Sequence, residues 1–396
     1  MKKIVVFLIT ICIFLYLPNY CHSNSNQLEQ NDEEINLSQD DIINSQKASL
    51  NIGGFINEAN KYTEDVFKDT NYSELLNSAI KGEIDNEKIG KSILGILGDE
   101  TIASIRTIGM IVVIIIIHSI LKSISEGFEN KSVAQITYYV QYILIVTLIM
   151  ASFADIINMI KDSITNLVNF SNSLIPLLMT LILTTGNIVS ANILQPILLF
   201  IITFIGNFII NIIIPIVLVS TALSIVSKIS DRIQIDKLAK FFKSSVIWIL
   251  GVVLTLFVSL LSIEGSLSSS VDGVTAKTTK AAVSSFIPVV GKILGDAVDT
   301  VIGCTSILKN AVGIVGVIVI IGICILPIIK LTLLMITYYI GSAICQPIAD
   351  GKIVKLLEQM GDTFKVFLAI MCSVSVMLIV GTTLVMKISN SGLMYR

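Results

Sequence analysis

Few charges in this chain stand where chemistry could use them. Between Phe286 and Asp299, the groups Lys292, Asp296 and Asp299 fall at i, i+4 and i+7 and share one helix face. Ile287, Val290, Ile293, Leu294, Ala297 and Val298 follow helical spacing on the other face. Such a segment, entered through Pro288 and Gly291, can line or cap a wet path in a membrane. It can equally lie at the surface with its charges in water, and both readings stand. Lys330 is the one charged residue deep inside a long apolar run, three residues after Pro327. A charge at the bilayer centre costs about 3 kcal/mol on insertion scales. Lys330 is therefore expected either to face a bundle interior, with Asp296, Asp299 or Glu264 as partner, or to snorkel to an interface. Lys228, Arg232, Lys237, Lys240 and Lys243 lie within 16 residues, opposed only by Asp231 and Asp236. They form a candidate dock for a cytoplasmic partner, with a lipid-facing basic loop as the alternative.

Catalysis finds no constellation. His22 and His118 are the only histidines, and no P-loop is present. The six cysteines show no Cys-x-x-Cys or Cys/His metal spacing. Asp296 and Asp299 sit on one turn, whereas an aspartyl pair draws on two elements. The expectation is a non-enzyme without cofactor or metal.

The elements that must hold these groups are helices in a membrane. The chain has 396 residues, 54% of them hydrophobic and 14% charged. Soluble domains carry about 25% charged residues. Repeated apolar runs near the roughly 20 residues a bilayer needs give the class: an all-α polytopic membrane protein. The net charge of −2 hides an uneven distribution, because residues 24–100 hold 16 Asp/Glu against 6 Lys. No basic footprint for nucleic acid is present.

In chain order, residues 1–23 read as a secretory signal. Lys2 and Lys3 precede the apolar Ile4–Leu17 and the break at Pro18; an uncleaved anchor is the alternative. Residues 24–104 form an acidic extracytoplasmic segment, Asn/Ser/Gln-rich to about residue 50 and then partly helical, punctuated by Gly82 and Gly90. Residues 105–172 hold a first transmembrane pair, about Ile105–Leu121 and Val133–Ile157. Lys161, Asp162 and an Asn-rich patch then read as an outer loop. Residues 173–263 and 285–387 form two membrane units, and 388–396 a tail.

The two units echo each other. Ser173-Leu174-Ile175-Pro176 matches Ser285-Phe286-Ile287-Pro288, and Ile214-Pro215-Ile216 matches Leu326-Pro327-Ile328, both at an offset of 112. A parallel internal repeat is expected, with about six mature transmembrane helices and two re-entrant or interfacial Ser-x-Ile-Pro segments. Pro176 and Pro288 then become candidate pore or gate positions with Gly291, Lys292, Asp296, Asp299 and Lys330. The loops at 122–131, 228–243 and 352–365 carry ten Lys/Arg against five in the outer loops, which places them inside.

Several stretches are similar to the stage III sporulation protein AE family. They are Leu223-Ser224-Ile225-Val226-Ser227, Lys237-Leu238-Ala239-Lys240-Phe241, Trp248 with Gly251, Asp272-Gly273-Val274 with Lys277-Thr278, Ile287-Pro288-Val289-Val290-Gly291 with Asp296-Ala297-x-Asp299, Leu308-Lys309-Asn310 and Gln346-Pro347-Ile348-Ala349-Asp350. Glu264-Gly265 departs from the family's Gln-Gly. The resemblance covers nearly the whole chain and is weakest over residues 24–100. It implies a multi-pass protein of the mother-cell membrane around the forespore, belonging to a transenvelope channel, or feeding tube. The implied partners are other stage III sporulation A-operon proteins, including a cytoplasmic ATPase and ring-forming subunits, a forespore membrane partner, and the lipid bilayer. The implied role is support of forespore development and late forespore gene expression. From the residues alone, a stand-alone secondary transporter for a small solute is the competing reading.

Overall fold

The computed structural model describes residues 42–50, 52–64, 66, 71–83, scattered positions between 95 and 124, 131–229, 235–286 and 290–390. Over 264–299, at several positions between 131 and 152, and at 388–390 it describes the backbone alone. The signal-like segment, most of the first expected span, Arg232 and Pro288 lie outside the described residues.

Two short helices come first, α1 (Ile52–Thr63) and α2 (Tyr72–Lys81). In α1 the buried residues Ile52, Phe55, Ala59 and Thr63 recur at helical spacing. Asn71 caps α2 by accepting from the Ser73 N–H at 3.0 Å. Gly82 ends it with φ +76°, where a side chain would strain the backbone. Phe55 and Tyr62 pack on Phe170, with ring centroids 5.9 Å and 6.3 Å away. Gln46 donates to Thr305 at 2.7 Å. Burial pushes the Tyr72 phenol up to about 12, an effect partly offset by the Thr63 hydroxyl.

Long helices follow: α3 (Lys131–Thr184), α4 (Ile188–Phe208), a π-helical turn at Ile209–Ile213, α5 (Ile214–Val226), α6 (Asp236–Phe286), α7 (Val290–Cys345) and α8 (Gly351–Asn390). The 54 residues of α3 and 56 of α7 make helices of about 80 Å, against a hydrocarbon layer near 30 Å. Among the described residues, five segments are long and apolar enough to cross a membrane: Phe153–Thr184, Ile188–Val226, Asp236–Ile263, Thr300–Cys345 and Gly351–Lys387.

The expected helical breaks fall elsewhere. Pro176 lies inside α3, and its carbonyl accepts from Thr180 Oγ1 at 2.8 Å. The turn begins nine residues later at Thr185-Gly186-Asn187, where Gly186 adopts φ +87°. That conformation favours glycine and ends the helix without clash. The Phe286–Asp299 stretch is likewise not an element of its own. α6 reaches Phe286 and α7 starts at Val290, so its polar residues occupy the first turns of a 56-residue helix. Pro176 is thus mid-helix, whereas Pro288 lies outside the described residues. Pro215 follows a π turn, whereas Pro327 sits in unbroken α-helix. The wider turn accommodates the ring against the preceding carbonyl. The repeat and the count of six are therefore not confirmed.

Cross-helix contacts fall at two levels. At one, Phe153 of α3 meets Phe364 and Phe367 of α8 at 5.8 and 6.0 Å, and Tyr338 of α7 meets Phe364 at 5.2 Å. Thr221 of α5 and Lys243 of α6 join them through Thr363. At the other, Leu174 of α3 crowds Gly316 of α7, Met386 crowds Gly313, and Phe257 and Leu261 of α6 lie against Gly381 of α8. Leu174, Leu198, Ile202 and Thr382 close the same level around one small apolar void. From Phe153 to Leu174, and from Thr363 to Met386, is about 32–35 Å of helix, one bilayer thickness. Between the levels the bundle is filled, with Ile160, Leu167, Val319, Leu331, Ile370 and Met371 wholly buried.

Candidate functional site

The inner level carries the densest buried polar network among the described residues. It is built by the ends of three helices. Lys243, two turns into α6, is 9% exposed. Its Nζ donates to the Gln359 carbonyl at 3.0 Å and to Thr363 Oγ1 at 2.8 Å. The Thr363 and Thr221 hydroxyls lie 3.2 Å apart, and Ser220 Oγ donates to the Ala239 carbonyl at 2.7 Å. One turn toward the loop, Lys228 pairs with Asp236, which also accepts from Gln359 Nε2 at 3.3 Å. Tyr339 donates to Asp362 at 2.7 Å. A cation inside the bundle demands oxygen acceptors from the helices it touches, and here they come from α8. The arrangement ties α5, α6 and α8 together at this level. It has the chemistry of a clamp.

This placement divides the basic set. Lys243 turns inward and is not available to a partner. Lys228 is half-buried in its pair with Asp236, while Lys237 and Lys240 remain exposed beside exposed Leu238 and Phe241. Summing charges along the loop does not distinguish these orientations. The helical phase would have, since Lys243 lies one turn after the buried Ala239.

A second buried lysine sits at the outer level. Lys309 is wholly buried and donates to the Met386 carbonyl at 2.9 Å, near the C-terminal end of α8. Sequence reasoning counted it as an outer-loop charge. Of the candidate gate residues, Lys330 lies half-buried between the two levels in α7, and Pro176 lies in α3 at the outer level. The backbone of Gly291, Lys292, Asp296 and Asp299 is helical at the start of α7. Lys330 and Asp296 belong to one helix, 34 residues or about 50 Å apart, so α7 does not bring them together. Cys304, Cys324, Cys345 and Cys372 are buried free thiols. Among the described residues no cluster of His, Cys, Asp or Glu has the arrangement to hold a metal ion.

Comparison with known proteins gives a consistent result. The family model of stage III sporulation protein AE matches residues 70–389. A stage III sporulation protein AE of Bacillus subtilis (strain 168) is 32% identical over 306 residues, 77% of this chain and 77% of its own. No solved structure matches.

Proposed function

Because the chain belongs to the stage III sporulation protein AE family, and with it to sporulation, we propose that it is the polytopic membrane subunit of a channel complex joining mother cell and forespore. It sits in the mother-cell membrane surrounding the forespore. Its partners are ring-forming subunits and a forespore membrane protein outside, and an ATPase in the cytoplasm. The observation that carries this reading is the reach of the helices. α6 runs on for 23 residues beyond Ile263, about 35 Å, and α7 begins ten residues before Thr300. Helices of this length, with α1 and α2 seated on α3 and α7, supply a platform above the bilayer for a partner ring. A carrier of small solutes has no need of such a platform. On the cytoplasmic side Lys237, Leu238, Lys240 and Phe241 form the exposed docking edge. The first turns of α7, with Pro288, Gly291, Lys292, Asp296 and Asp299, act as the outer gate, and Lys330 lies on the path below.

The test is affinity isolation of the tagged full chain from solubilised membranes of sporulating cells. The expected result is co-isolation of the ring-forming subunits and the ATPase, weakened by Lys237→Glu with Lys240→Glu. A chain that isolates alone, and that moves a small solute into liposomes under an ion gradient, overturns the proposal in favour of a transporter.

A further inference from the structure

α3 carries an unusual face between the two levels. Asp155, Asn158, Asp162, Thr165 and Asn169 are all exposed, spaced by three and four residues, and so form one stripe about 21 Å long. The opposite face is apolar and buried, with Ile156, Ile157, Ile160, Ile164 and Leu167. The stripe begins beside Phe153, at the cytoplasmic ring of contacts, and stops one turn short of Leu174, at the outer ring. All of it lies inside Phe153–Thr184, a segment long and apolar enough to cross a membrane.

The neighbouring helix packs closely beside it. Val168 and Gly206 mark the close approach of α3 and α4, where a Cβ on Gly206 would come within 2.4 Å of Val168 Cγ2. Thr165 and Asn169 flank Val168, and Asn207 follows Gly206, with Asn211 one turn on. Both asparagines are exposed. Phe200 and Phe204, exposed by 70% and 58%, stack on the same face of α4 as Asn207, three residues on, and that face suits lipid. Asn172 adds a buried Oδ1 with no donor, at the upper end of the polar stripe.

Three environments are conceivable for this face. Lipid is the worst, since each carboxylate at that depth costs about 3 kcal/mol. A dry protein contact would have to supply donors to two carboxylates and several amides. Water meets every requirement. The filled core of the described bundle leaves no such path inside it, so the path runs along its outside.

We propose that the polar seam on α3, from Asp155 to Asn169, is one wall of a water-filled passage that admits polar and cationic solutes. This rests on the channel reading and gives it a lining. The walls opposite come from neighbouring subunits. Asp155 and Asp162, set against the half-buried Lys161 beside them, leave the seam net negative, which concentrates cations and disfavours anions.

The test uses the full chain in membranes of sporulating cells, with single cysteines at Asn158→Cys and Asn169→Cys, and Phe204→Cys as the lipid-side control. The parent chain sets the background of its own thiols. Water-soluble thiol reagents should modify both seam positions, the cationic reagent about tenfold faster than the anionic one. Asp155→Asn with Asp162→Asn should bring the two rates together. Phe204→Cys should react only with a lipid-soluble maleimide. Seam cysteines that react only with the lipid-soluble reagent, or with neither, overturn the proposal. If partners co-isolate while the seam stays unlabelled, the wall assignment falls and the channel complex stands. Labelling in a chain that co-isolates with nothing keeps the wall and removes the complex.

Discussion

Changing Lys309 to glutamate leaves no stably packed protein in the membrane. Lys309 is wholly buried, and its ammonium donates to the Met386 carbonyl at 2.9 Å. The carbonyls near the end of α8 present the negative pole of that helix, so a cation is the charge the site accepts. A carboxylate there meets a carbonyl with no donor, inside a site closed to water, at a cost of about 3–5 kcal/mol. Lys309→Met keeps the aliphatic stem and loses only the charge-assisted hydrogen bond, about 1.5–3 kcal/mol. Thermal aggregation of the solubilised protein should rank wild type above Met and Met above Glu. Equal midpoints for all three would place the side chain in water.

Lys243 gives the second large effect, and it separates an internal clamp from a docking residue. Its bonds to the Gln359 carbonyl and Thr363 Oγ1 join α6 to α8. Lys243→Met should lower the stability of the isolated protein by about 2 kcal/mol. Thr363→Val should act in the same direction, because it strips one acceptor from a buried cation and removes the contact with Thr221. The double variant should cost less than the two losses added, since both act on one network. Were Lys243 a docking residue, Lys243→Met would weaken partner co-isolation and leave the stability of the chain alone unchanged.

Much of the architecture was legible because apolar length is a strong signal. Runs such as Ala311–Ile344 and Ser245–Ile263 identify membrane helices without ambiguity, and α7 and α6 contain them. Breaks were harder to place. Proline removes one N–H and crowds one carbonyl, which a helix deep in a bundle tolerates, so Pro176 and Pro327 sit in continuous helix. Gly186-Asn187, a better stop signal, marks the real turn.

Polar residues misled for a different reason. Lys161, Asp162 and the nearby asparagines read as a loop because they are hydrophilic. Their spacing of three and four is helical, and tertiary packing of Ile160, Ile164 and Leu167 holds them in α3. Likewise a sum over loop charges treats every lysine as solvated. Lys243 and Lys309 are buried because specific carbonyl and hydroxyl oxygens from another helix meet them, and long-range pairings of that kind leave no local pattern. The echo at an offset of 112 is a likeness between short apolar strings; of the prolines it pairs, Pro215 follows a π turn and Pro327 sits in unbroken α-helix.

The channel, the clamp and the polar wall all require that the Lys243 level face the cytoplasm and that α1 lie on the opposite side. Sidedness measures this directly, with single cysteines at Lys240 and at Asn57, both exposed. In intact non-sporulating cells that carry the chain in their plasma membrane, a membrane-impermeant thiol reagent should label Asn57→Cys and spare Lys240→Cys until the membrane is opened. Labelling of Lys240→Cys in sealed cells, with Asn57→Cys protected, would contradict the account.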